Sequence, residues 1–266
     1  MIALIAMFLD HLGVFIFPNN IYLRSIGRLS FPIFAWAIAN GSIYTRNIYK
    51  YLGRIFILAV ISQIPYQLLF GYFGMSDPGL NILFTFSISL VGIIIFKKTN
   101  NKFVRIFSVI VLSLAAYFTN SDYGAFGVLS ILIFYIYHPS RKAMGISPWM
   151  GAKSLSLRSD FSPDEARGED TPSVSSREIH YKNTLKFSLS YLIIFFIFYI
   201  SPILLNNLLG DTFEISYLNF IEIFSLVSLI FIAGYNGNVG YKMKYFFYLF
   251  YPMHLALLYL LRISIP

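Results

Sequence analysis

The feature that most constrains this chain is the length of its uncharged apolar runs. Within Tyr181 to Leu209, the residues Leu192, Ile193, Ile194, Phe195, Phe196, Ile197 and Phe198 follow one another without a break, and similar runs recur throughout. A water-soluble helix alternates polar and apolar positions with a period of about 3.6 residues. Here no polar face is left over to meet water. Of the 266 residues, 57% are hydrophobic and only 12% charged. This composition predicts an all-α fold, a polytopic transmembrane helical bundle of about nine spans at about 20 residues each. The net charge of +8 comes from Lys and Arg in the connecting segments, where positive-inside bias accounts for it without nucleic acid. There is no cysteine, so disulfides and thiolate chemistry are excluded. The first apolar run lacks a basic leader and a small-residue cleavage site, so a retained helix is expected there.

Apolar runs separated by charged or turn-rich breaks place helices near 1–18, 26–44, 52–73, 80–96, 103–119, 123–138, 185–205, 216–234 and 244–262. The breaks are Pro18-Asn19-Asn20, Asp77-Pro78-Gly79, Asn100-Asn101 and Asn236-Gly237-Asn238, all strong turn formers. Charge alternates from break to break. Arg46, Lys50 and Arg54 follow the second helix; Lys97, Lys98, Lys102 and Arg105 follow the fourth; Lys242 and Lys244 follow the eighth. Asp77, Asp122, and Asp211 with Glu214 follow the third, fifth and seventh. The basic segments are expected on the cytoplasmic side of a cell membrane, with the N-terminus cytoplasmic. Arg24 and Arg28 break this rule in the first, external loop. That exception suggests they turn inward, toward a buried acid or an anionic substrate group.

Residues 141–182 differ in character, being rich in Ser, Arg, Asp, Glu, Gly and Pro. Such a stretch buries too little apolar surface to fold alone. It is expected to be a disordered cytoplasmic loop or insertion between two parts of one bundle, 1–140 and 183–266. No chemistry is assigned to it, His180 included.

Ionisable and amide groups inside apolar runs are costly, which makes them the best pointers to function. They are Asp10 and His11 in the first helix, Gln63 in the third, Glu222 in the eighth and His254 in the ninth. At about 1.5 Å of rise per residue, Asp10 and His11 lie roughly 10 Å from the outer end of their helix and His254 about 15 Å from its inner end. Such depths allow all five to share one polar chamber. Adjacent residues on a helix point about 100° apart, so Asp10 and His11 are expected to reach different partners. Four scattered histidines without metal-ligand spacing argue against a metal site. No phosphate-binding glycine loop or nucleophile-elbow serine is present.

An ordered set of short segments carries a family resemblance. These are Ile5-Ala6-Met7 leading to Asp10-His11-Leu12-Gly13; Arg24-Ser25-Ile26-Gly27-Arg28-Leu29-Ser30-Phe31-Pro32-Ile33-Phe34-Ala35; Thr45-Arg46-Asn47; Ile61-Ser62-Gln63-Ile64-Pro65; Asn81-Ile82-Leu83-Phe84-Thr85; Tyr235-Asn236-Gly237; and Lys244-Tyr245-Phe246-Phe247-Tyr248 through Tyr251-Pro252-Met253-His254. Together they resemble the TraX family of membrane acetyltransferases, in order and over almost all of the chain outside 141–182. The resemblance implies an integral membrane acyltransferase that moves an acetyl group from acetyl-CoA to an amine or hydroxyl. The acceptor would be a pilin-like protein or another surface molecule such as a glycan.

Acetyl transfer needs a base for the acceptor and donors for the developing oxyanion. His11 or His254 is expected as the base, since neutral imidazole serves near pH 7. The other would be a second proton carrier or an acyl acceptor, and Asp10, partnered by Arg28, would set the local field. Arg24, Arg28, Gln63, Glu222 and Asn236 form the expected substrate-binding set. Arg46, Lys50, Arg54, Lys242 and Lys244 are expected to receive the phosphates of acetyl-CoA, although positive-inside bias selects the same residues. Two other readings use the same polar groups. One is a proton-coupled transporter or flippase with helices broken at Pro32, Pro65 and Pro252. The other is an assembly partner whose buried polar groups join helices.

Overall fold

A computed structural model describes residues 1–74, 78–138, 174–202, 221–235 and 244–264. All of its named elements are helical. They are α1 (Ile2–Phe15), α2 (Ile21–Gly27), α3 (Ser30–Tyr44), α4 (Ile48–Tyr72), α5 (Ile82–Lys98), α6 (Lys102–Phe118), α7 (Gly124–Ile136) and α8 (Val174–Phe195), which continues as a π-helical turn over Phe196–Ile200. A 3-10 turn over Ile223–Val227 leads into α9 (Ser228–Ala233), and α10 spans Lys244–Ser264.

Asparagine explains why several helices start where they do. The side chains of Asn20, Asn47, Asn81 and Asn101 each accept backbone N–H bonds at the first turn of α2, α4, α5 and α6. That satisfies donors the helix cannot pair internally. The opposite end of α5 is closed by a side chain from the next helix. Fully buried Arg105 donates to the carbonyls of Phe96 and Thr99, a favourable place for a cation.

Three expectations about helix limits change. The second predicted helix, 26–44, is two: α2 ends at Gly27 and α3 begins at Ser30, so Arg24 and Arg28 flank a corner. The prolines expected to break helices do not. Pro65 and Pro252 lie inside continuous α4 and α10, and Pro32 falls in the first turn of α3, where its missing N–H costs nothing. The last part of the polar 141–182 stretch, residues 174–182, is the start of α8; residues 139–173 lie outside the described residues.

Helix neighbours close a ring: α1 on α3, α3 on α7, α7 on α5, α5 on α4, α4 on α10, and α10 back on α1. The helix α6 packs outside against α5 and α7, α8 against α7, and α9 against α3. The connections sort to two ends. At one, Leu80 pairs with the 120–122 backbone, its N–H donating to Asn120 and its carbonyl accepting from Asp122. At the other, Lys97 donates to the Ser42 carbonyl at the end of α3. The first end is the one expected outside; the second carries the basic segments.

Gln63 and Asn81 hold the first end together. Gln63 donates to Gly79 O at 2.7 Å and accepts from the backbone and side chain of Asn81. Asn81 is fully buried and also donates to Ala59 O at 2.8 Å. Removing its amide strands several buried groups at once, a loss of about 3 kcal/mol. Asn81→Ala should therefore lower the thermal unfolding midpoint of the purified protein by several degrees, read by intrinsic fluorescence in detergent.

Candidate functional site

At the outer end, α1 and α2 approach so closely that a methyl group on Gly27 would overlap Cβ of Asp10. Gly13 permits the same closeness one turn away, with Leu23 Cβ about to touch at 3.0 Å from where its own Cβ would stand. This contact lays Arg24 and Arg28 over Asp10. Arg24 Nη1 donates to Asp10 Oδ1 at 2.9 Å. Arg28 reaches across: its Nη2 is 3.9 Å from the same oxygen and its Nη1 is 3.0 Å from Glu222 Oε1. Both arginines thus pair with Asp10. Arg24 is the close partner, while Arg28 bridges α1 to the 221–235 segment.

His11 points elsewhere, as its place one residue on requires. Its Nδ1 lies 2.9 Å from His254 Nε2, and His254 Nδ1 lies 2.9 Å from the Phe250 carbonyl. The two rings stack with centroids 5.0 Å apart. A carbonyl only accepts, so it assigns the proton of neutral His254 to Nδ1. Nε2 of His254 must then accept, and His11 must donate through Nδ1. This leaves Nε2 of His11 with an unshared lone pair, for which no partner occurs among the described residues. The relay runs one way: carbonyl, His254, His11, open nitrogen.

That nitrogen belongs to a ring lining a cavity of about 370 Å³ inside the helix ring. One end of the cavity holds Asp10, His11, Ser30, Asp122 and Tyr123; the other holds Tyr51, Phe247 and Tyr248. Between them lie apolar side chains such as Met7, Phe34, Ile55 and Phe86. From Ser30 to Ile38 along α3 the cavity runs about 12 Å. Exposed Lys50 and Arg54 flank Tyr51 at its far end, with exposed Arg46 just before α4. Lys244 begins α10 at that same end, although its side chain lies outside the described residues, as do Asn236 and Lys242 entirely.

Gln63 is corrected too. Both ends of its amide are spent on the 79–81 segment, and it is absent from the cavity wall. Glu222 reaches the site only through Arg28. Two residues unmarked by the sequence take their place. Asp122 and Tyr123 form the turn between α6 and α7 and line the cavity beside His11. Burial pushes the Asp122 carboxyl up to about 6, against the pull of Arg28, and burial likewise raises the Tyr123 phenol. An acid in a loop reads as a surface group, whereas this one, held by the Leu80 backbone pairing, is half-buried in the cavity wall. Among the described residues no group of three His, Asp or Glu could hold a metal ion.

These features define a class: an all-helical bundle with a buried ion network and a histidine pair closing one end of an internal cavity. Within that class the chain belongs to the TraX family. The family described as TraX protein matches residues 1–152 and 180–262, so the match omits only 153–179, inside the compositionally distinct stretch, and the last four residues. Among curated proteins, one relative is the "Probable fimbrial assembly protein FimC, serogroup H1" of Dichelobacter nodosus, 27% identical over 97% of this chain and 91% of its own length. Another is an uncharacterised protein of Rickettsia prowazekii (strain Madrid E), 26% identical over 91% of this chain and 93% of its own. No solved structure matches.

The closeness of α2 to α1 is testable at one atom. Gly27→Ala should cost about 1–3 kcal/mol of stability, because the added methyl must push Asp10 aside. Gly53→Ala meets open space and should not lower stability. Thermal unfolding of both variants in detergent checks the contrast.

Proposed function

We propose that this chain is a multi-pass protein of the bacterial cytoplasmic membrane that transfers an acetyl group from acetyl-CoA to an amine or hydroxyl of a pilin-like protein or another surface molecule. The observation that carries the reading is the His11–His254 pair. It leaves an unprotonated nitrogen on a ring that lines a cavity, and exposed Lys50 and Arg54 flank Tyr51 at the far end of that cavity.

The membrane reading is supported by where the apolar surface lies. In α4 and α10 the apolar windows are only 28% and 22% buried, whereas a soluble core helix of that hydropathy is mostly buried. Along α6, Phe103, Ile106, Phe107, Ile110, Leu114 and Phe118 are all exposed, Phe103 at 84%. So continuous an apolar exterior is untenable in water. Helices of 17 residues, such as α5 and α6, extend about 25 Å, close to the roughly 30 Å hydrocarbon thickness. The chain has no cysteine, so single introduced thiols report sidedness. With a membrane-impermeant maleimide on spheroplasts, Asn19→Cys should label directly and Lys98→Cys only after permeabilisation. Direct labelling of Lys98→Cys would refute the proposed topology.

In the reaction, Arg46, Lys50 and Arg54, with Lys242 and Lys244, receive the donor's phosphates at the cytoplasmic mouth. The thioester arm lies along the apolar shaft, bringing its carbonyl to the polar end. His11 Nε2 takes the proton from the acceptor's N–H or O–H as the new bond to the acetyl carbon forms. The C–S bond breaks, and the proton passes to the departing sulfur, yielding acetylated acceptor and free CoA. His254 holds His11 in the tautomer that makes this possible, so it positions the base. The name of the fimbrial relative supports a pilus component as acceptor.

Membranes given radiolabelled acetyl-CoA should transfer label to an acceptor. His11→Ala should lower the rate about 10³-fold and His254→Ala about 10²-fold, within the range for a general base and its orienting partner, at unchanged protein levels. Full activity in both variants would dismiss the site.

A further inference from the structure

We propose that Tyr123 is a catalytic residue of this same site, its hydroxyl donating to the thioester oxygen as negative charge develops there. The inference rests on the acetyl-transfer reading.

Three independent features of Tyr123 support it. Its backbone is held at φ 59° and ψ −6°, in the left-handed region. A bulky residue rarely adopts that conformation, and where it does the surrounding structure must hold it there, commonly at a functional site. The restraint is visible: the ring lies flat on Phe31, with centroids 3.9 Å apart and planes 8° from parallel. Second, Arg28 Nη1 donates to the Tyr123 oxygen at 3.4 Å. A guanidinium can only donate, so the phenol oxygen accepts and its own hydrogen remains free. No acceptor for that hydrogen occurs among the described residues. Third, Tyr123 lines the cavity that also receives His11. A phenol whose oxygen faces a cation is a stronger donor, and the carboxylates of Asp10 and Glu222 hold that cation in place.

The chemistry of the step calls for such a group. As the acceptor's lone pair adds to the carbonyl carbon, the C=O electron pair moves to oxygen, and His11 takes the acceptor's proton. Collapse restores C=O and expels the sulfur, which receives that proton. His11 serves the proton, but nothing in the relay serves the oxygen. Tyr123 supplies a hydrogen bond that strengthens only as the charge appears, which is where catalysis gains most.

The test uses the purified full-length chain in lipid nanodiscs. Radiolabelled acetyl-CoA is the donor, and membranes from cells lacking this protein supply the acceptor. Tyr123→Phe keeps the stacked ring and loses only the hydroxyl. Its kcat should fall about 10²-fold, with KM for acetyl-CoA within about twofold, as for an interaction made only in the transition state. Site-specific replacement of Tyr123 by difluorotyrosine preserves shape but acidifies the phenol. The donor hydrogen is then lost at lower pH, so the alkaline limb of the kcat profile should move downward, a change that a packing role would not produce. If Tyr123→Phe keeps kcat within threefold or loses only in KM, or if the alkaline limb stays fixed, the assignment is overturned while an inactive His11→Ala leaves the acetyl-transfer reading standing. If the parent transfers no label, that reading falls and the role of Tyr123 falls with it; if His11→Ala and His254→Ala both keep full activity, the site is dismissed and the role of Tyr123 with it.

Discussion

Two guanidiniums shared among half-buried carboxylates are the interaction on which the rest of this structure depends. Charges held among apolar helices are tolerable only in mutual contact, because each alone would meet a large desolvation cost. Asp10 accepts from Arg24, and Arg28 spans Asp10 and Glu222. Neutralisation also acts as a clamp. With Asp10 held toward α2, the rotation of α1 about its axis is fixed, and the next residue must look toward α10. The meeting of His11 with His254 follows from a contact on another face of the same helix. The electrostatics at one end of the bundle thereby determine which groups stand at the cavity.

The cavity itself is graded. Its polar end holds the histidine, the left-handed tyrosine and a half-buried carboxyl; its middle is apolar; its far end lies near exposed lysine and arginine. An elongated donor with an anionic head and a reactive thioester tip fits that gradient in one orientation. The apolar shaft separates the polar end from the far mouth, so a preorganised donor such as a cation-polarised phenol would meet a medium of low dielectric there.

Much of this was legible in the sequence. Apolar runs reported the helices, because little else can be done with so much hydrocarbon. The costly groups Asp10, His11, Glu222 and His254 stood out in the sequence, because burial of such groups needs a reason, and the structure links Asp10 to Glu222 through Arg28 and pairs His11 with His254. What escaped was geometry that composition does not encode. The corner at Gly27–Ser30 was hidden because the apolar pattern continues through it, and Arg24 and Arg28 flank it with both in reach of Asp10. Gln63 looked like a chamber residue because it lies deep, yet both ends of its amide serve the backbone of a neighbouring turn. Asp122 and Tyr123 were invisible as site residues. A loop aspartate and an aromatic residue at a helix start are ordinary in sequence; only the pairing of Leu80 with the 120–122 backbone and the sign of one dihedral set them apart.

The order of the helices along the chain has a consequence for the life of the molecule. The ring is joined by α10, which packs on both α1 and α4, and the imidazole that orients His11 is residue 254. During synthesis, then, the first half of the histidine pair is made about 240 residues before the second. A nascent chain carries His11 without its fixed tautomer until α10 has emerged and docked. The arrangement of the two imidazoles is thereby withheld from incompletely inserted protein, with no separate maturation step required.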